Sequence, residues 1–85
     1  MQTKEDIFNT LRDILSDDFE INADTISLHV RLYEDLGLDS IDAVDLIVRL
    51  QELTGKRIQS EQFKQVRTIQ HVVDAVYALL QENSE

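Results

Sequence analysis

Cysteine is missing from this 85-residue chain, which removes disulfides, thiolate metal sites and a cysteine nucleophile together. Proline and tryptophan are absent as well, glycine occurs twice, and three phenylalanines and two tyrosines are the only aromatic residues. That composition disfavours a sheet-rich fold and suits helices. The longest strictly apolar run is Ala75 to Leu80, far short of the roughly 20 residues a bilayer span needs. Met1 to Asp6 also lacks a signal-type apolar stretch, so neither membrane insertion nor export by such a signal is expected, and the cytoplasm is the expected location. Basic charge is scarce: 8 Lys and Arg stand against 17 Asp and Glu, a net charge of −9. Such a surface repels phosphate backbones and anionic lipid and attracts basic protein patches, so nucleic acid is not an expected ligand.

What is present suffices for one core. The chain is 42% hydrophobic and 29% charged, and 85 residues cannot feed two cores, so residues 1–85 are expected to form a single all-α domain. Thr3 with Asp6 resembles a capping box and opens a first helix, expected to run to about Ser16. Ile7, Phe8, Leu11, Ile14 and Leu15 recur at steps of three and four along it. Periodicity fails from Asp17 to Asp39, a long loop with apolar anchors at Phe19, Ile21, Ile26, Leu28 and Leu32. Its end, Leu32 to Leu36, is expected to make one helical turn. Asp39 or Ser40 caps a second helix that continues through Leu53 and stops at Gly55. Ser60 opens a short turn through Phe63 and Gln65, and Thr68 caps a last helix striped by Ile69, Val72, Val73, Val76 and Leu80.

The second helix carries two apolar faces. At about 100° per residue, Ala43, Leu46, Ile47, Leu50 and Leu53 cluster on one side, which is the core stripe. Ile41, Val44 and Val48 gather on the opposite side, with Asp45 and Glu52 beside them and Asp42 and Arg49 a little further round. An apolar strip edged by acids is a protein-docking surface, unless the long loop folds back and buries it.

Catalytic constellations fail one by one. Ser40 lacks the second glycine of a nucleophile elbow, and neither His29 nor His71 stands at a recognisable spacing from it. Asp35, Asp39 and Asp42 do not keep the register of a calcium loop, and two glycines cannot build a phosphate-binding one. No enzymatic activity is expected. What is left is a serine at a helix start, which ordinary capping would explain. A phosphodiester on that hydroxyl would nevertheless meet free N–H groups and the positive end of the helix dipole.

Leu36-Gly37-Leu38-Asp39-Ser40-Ile41-Asp42, the helix carrying Val44, Asp45 and Leu46, and Gly55-Lys56-Arg57-Ile58 together closely resemble the acyl carrier proteins of type II fatty acid and polyketide-like synthesis. The resemblance spans essentially the whole chain, with Ile41 in place of the family's leucine. It implies a four-helix acyl-carrier-like bundle with three longer helices, one short helix and a long first loop. It also implies that a phosphopantetheinyl transferase moves 4′-phosphopantetheine from coenzyme A onto Ser40, with Asp39 supporting that modification. Acyl intermediates would then ride as thioesters on the arm's thiol. Ile41, Val44, Asp45 and Val48 match the family's partner-reading positions, and Glu34, Asp35, Asp42 and Glu52 would add to the attracting field. Partners would be ketosynthase, ketoreductase, dehydratase and acyltransferase-type enzymes with basic docking patches, met by a carrier that is monomeric on its own. A cargo cavity lined by Phe8, Leu46, Ile47, Val72 and Val76 is expected. Leu32 to Leu36 with Ile41 to Leu46 looks like the carriers of bacterial aryl-polyene-type clusters. An aminoacyl or D-alanyl carrier and an unmodified acidic helical adaptor are the alternatives.

Overall fold

A computed structural model describes residues 3–58 and 60–82. The first helix, α1, spans Lys4–Asp18. Its start is fixed by Thr3, whose side chain accepts the Asp6 N–H at 3.1 Å. It continues two residues past the expected Ser16. Glu20, at φ 56°, turns the chain out of the helix, and the Ile21 N–H closes back onto the Leu15 carbonyl at 3.1 Å. A single 3-10 turn at Ala23–Thr25 interrupts the loop that follows, with the Asn22 side chain accepting the Asp24 N–H at 3.0 Å. Helix α2 spans Ser40–Thr54, α3 Ser60–Phe63 and α4 Ile69–Glu82. Helix α3 begins on Ser60; whether that residue's side chain caps it lies outside the described residues.

One core joins these elements. Ile7, Leu11, Ile14 and Leu15 from α1 meet Leu46, Ile47 and Leu50 from α2 and Ile69, Val72, Val73 and Val76 from α4. Ile26, Leu32, Leu38, Ile58 and Val66 close it from the connecting segments and Phe63 from α3. The loop anchors therefore sink as expected at Ile26 and Leu32, and partly at Phe19 and Ile21, while Leu28 stays 39% exposed. Leu53 departs from its place on the expected core stripe. It is 47% exposed while Leu46 and Leu50 are fully buried, since at about 100° per residue it lies at the edge of that stripe, beside Arg49.

The long loop is also held by its backbone. Carbonyls of Leu28 and Val30 accept the N–H groups of Gln70 and Ile69, each at 3.0 Å, and the Leu32 N–H reaches the Arg67 carbonyl at 2.9 Å. Two of the N–H groups that a helix start leaves unpaired are thus satisfied by the loop. Thr68 Oγ1 takes the His71 N–H at 3.3 Å, as the sequence predicts. The unexpected partner is His71, whose Nδ1 accepts the N–H groups of Arg67 and Thr68 at 3.0 and 3.3 Å. Leu32 to Leu36 makes the expected single turn, with the Asp35 N–H on the Arg31 carbonyl at 3.0 Å.

Candidate functional site

The loop delivers its last residues to α2 by alternate anchoring. Leu38 is buried and its N–H bonds the Leu32 carbonyl at 3.1 Å, while Leu36 is half-buried. Gly37 between them turns at φ +72°. A Cβ there would meet nothing within 4 Å, so the backbone angle and not crowding favours glycine. With Leu38 pinned, Asp39 and Ser40 face outward, and both are exposed.

Asp39 caps α2 from an extended backbone. Its Oδ1 accepts the Asp42 N–H at 2.9 Å, and Asp42 Oδ2 accepts the Asp39 N–H at 3.3 Å, a reciprocal capping box. The helical ladder then begins with the Ala43 N–H on the Asp39 carbonyl at 3.0 Å. Among the described residues, the N–H groups of Ser40 and Ile41 and the Ser40 hydroxyl have no hydrogen-bond partner. An outward serine hydroxyl thus stands at the positive end of a four-turn helix, beside two free donors and two capping carboxylates.

The second apolar face of α2 is open. Ile41, Val44 and Val48 are 71%, 54% and 46% exposed, so the long loop does not cover them. Beside this ridge a cleft of about 320 Å³ is lined by Asp18, Phe19, Asp42, Asp45, Val48 and Arg49. Ser40 lies on the other side of α2, since at about 100° per residue it is roughly 160° round the helix from Asp42. A second cleft, of about 310 Å³, separates α1 from α4 and is lined by Lys4, Glu5, Phe8, Leu28, Gln70, Val73 and Asp74. Of the expected cavity-lining residues only Phe8 borders it. Leu46, Ile47, Val72 and Val76 are spent on core packing instead.

The acids of the expected docking set divide into two groups. Glu34 pairs with Arg31, and Asp35 is engaged three times by the same residue, accepting its backbone N–H at 2.9 Å and its Nε and Nη2 at 3.4 Å each. The backbone hydrogen bond, then the guanidinium, hold the Asp35 carboxyl below its ordinary range, and Asp35 in turn raises Arg31. Glu52 lies 3.6 Å from Arg49, whose Nε sits 2.8 Å from Asp18 on α1. Asp39, Asp42 and Asp45 take part in no ion pair among the described residues. Sequence reasoning missed Asp18 and Phe19, which reach this face from the C-terminal end of α1. The step of three from Arg49 to Glu52 is a local signal for their pairing.

Comparison with known proteins gives this geometry its setting. Residues 9–76 match the phosphopantetheine attachment site family. "Acyl carrier protein 2" of Ralstonia nicotianae is 46% identical over 78 residues, covering 92% of this chain and 96% of the relative. An acyl carrier protein of Coprothermobacter proteolyticus is 36% identical over 73 residues, 86% of this chain and 89% of that one. The crystal structure of an acyl carrier protein from Thermotoga maritima superposes with a TM-score of 0.83 at 25% identity, over 93% of this chain and 92% of its own. A helical bundle that presents an unengaged serine at a helix start, matched over most of its length by these relatives, belongs to the acyl carrier protein family, whose members are carriers and not catalysts and bear covalently attached 4′-phosphopantetheine.

Proposed function

We propose that Ser40 is the residue that bears the arm and that residues 1–85 act as one carrier domain in the cytoplasm, monomeric when free. The observation that carries this is the exposed Ser40 hydroxyl, without an internal partner, at the first position of α2. The residues suit the group. A phosphodiester on Ser40 Oγ meets the free N–H groups of Ser40 and Ile41, and the helix dipole stabilises its charge. Asp39 keeps the first turn closed with one oxygen; its carboxylate is open to solvent and supports the modifying transferase. The arm, when attached, supplies a terminal thiol that holds cargo as a thioester.

The chain's own residues do the rest by recognition. Ile41, Val44 and Val48 present an apolar strip, and Asp42 and Asp45 set a negative field beside it that steers basic partners. Glu34, Asp35 and Glu52 contribute more weakly, because each already faces an arginine. Tethering raises the cargo's local concentration at each enzyme, while a small, screened contact lets the carrier leave again. The cargo is an acyl chain of fatty acid or polyketide-like synthesis, handled by ketosynthase, ketoreductase, dehydratase and acyltransferase-type enzymes. The relatives, which are acyl carrier proteins, support that over an aminoacyl load.

Intact-protein mass spectrometry after incubation with a phosphopantetheinyl transferase and coenzyme A tests the assignment. One phosphopantetheine mass is expected on the wild type and none on Ser40→Ala, with the helical circular dichroism unchanged. A wild-type mass that stays put while a control carrier is loaded, or a Ser40→Ala chain that still gains the group, overturns it.

A further inference from the structure

We propose that Arg49 is a specificity-determining residue of the docking face, confining the attraction for basic partners to the first turns of α2; this rests on the carrier reading above. Six acids, Asp18 at the end of α1, Glu34 and Asp35 on the loop and Asp42, Asp45 and Glu52 on α2, would by sequence contribute to one negative surface; the structure breaks it. Arg49 sits in the same cleft as Asp42 and Asp45 and is held there by Asp18 from α1 at 2.8 Å and by Glu52 from its own helix at 3.6 Å. Arg31 does the same to Glu34 and Asp35 on the loop. Negative charge without an ion-pair partner is thereby left at Asp39, Asp42 and Asp45, in the first two turns of α2 and its cap.

An ion pair acts at a distance as a dipole, whose field falls faster than that of a single charge. With a screening length of about 10 Å at 0.1 M salt, an approaching cation feels chiefly the nearest unpaired carboxylates. The partner that fits therefore has a compact basic patch facing Asp39, Asp42 and Asp45, an apolar seat for Ile41, Val44 and Val48, and no cation opposite the third turn of α2, where Arg49 would repel it. An enzyme whose basic patch runs the whole length of α2 is discriminated against. A simple clasp between α1 and α2 is the competing role. The pair is too exposed, at 47% and 36%, to hold the helices together by much.

Charge and clasp predict different signs. Initial rates of transferase-catalysed modification, read by intact mass with coenzyme A as donor, are compared for wild type, Arg49→Ala, Arg49→Lys and Asp18→Asn at low and high salt. Arg49→Ala is expected to raise kcat/KM roughly threefold at low salt, the advantage shrinking at high salt. Asp18→Asn, which removes the compensating carboxylate, is expected to lower it, and Arg49→Lys to restore the wild-type salt dependence. Arg49→Ala and Asp18→Asn shifting the rate in the same direction, or Arg49→Ala leaving it unchanged, would overturn the inference while the wild type is still loaded. A wild type that is never loaded removes the carrier reading, and this inference with it.

Discussion

Two substitutions at Asp39 separate its work as a helix cap from its work as a charge. In Asp39→Ala the Asp42 N–H loses its 2.9 Å acceptor, and the return bond from Asp42 holds a backbone that no longer needs that shape. Loss of such a cap costs about 1 kcal/mol, and loss of a carboxylate from a helix start about 0.5 kcal/mol more. For a domain of this size the sum of about 1.5 kcal/mol lowers Tm by about 6–12 °C. Asp39→Asn keeps the acceptor and loses only the charge, so its Tm should fall by about 2–4 °C. Thermal melts by circular dichroism give both values. Modification rates measured well below either midpoint then isolate the charge, because the Asn variant is folded and capped yet should still be modified more slowly. Equal Tm losses for Ala and Asn would refute the claim that the cap holds the serine-bearing turn. An Asn variant modified as fast as wild type would confine Asp39 to capping.

Two further outcomes follow from the loop and from the end of α2. The Asp35 carboxyl is held below its ordinary value of 3.8 in the folded chain, so its contribution is fully present above that value and is lost as pH falls through the lower folded one. Amide hydrogen-exchange protection at Arg31 should therefore persist at pH 5 (~5) and drop only in stronger acid, and Asp35→Asn should show the acid-like pattern at neutral pH. Gly55 ends α2 at φ +69° with nothing within 4 Å of a Cβ, so Gly55→Ala meets strain and no clash. Urea titration should show a loss of about 1 kcal/mol with an unchanged m-value; a loss above about 3 kcal/mol would mean that packing was also disturbed.

Helix starts and stops were readable wherever a local signal exists. Thr3, Asp39, Thr68 and Gly55 act where spacing places them, because capping involves residues only three or four apart. Angular position groups Ile41, Val44 and Val48 on one face but leaves open whether the long loop covers it; their exposure settles that it does not. Leu53 counts with the core stripe by spacing although its angle puts it at the stripe's edge, where it is 47% exposed. The α1 end was placed short because Glu20 stops the helix from a left-handed conformation that glutamate gives no warning of. At the site, Asp39 and Ser40 were legible and the pairing of Arg49 with Asp18 was not, because 31 positions separate them and only tertiary packing brings them together. The same applies to the backbone bonds from Leu28 and Val30 to the start of α4.

Those bonds divide the molecule by the kind of adhesion it uses. Among the described residues, every main-chain hydrogen bond between distant segments joins the loop to the residues around the start of α4, and none reaches α2 from α1 or α4. The loop and α4 thus share a directional weld, whereas α2 is seated on greasy side chains that tolerate small changes of angle. Side-chain packing of that kind leaves the angle of α2 less fixed by directional bonds than the seam between the loop and α4.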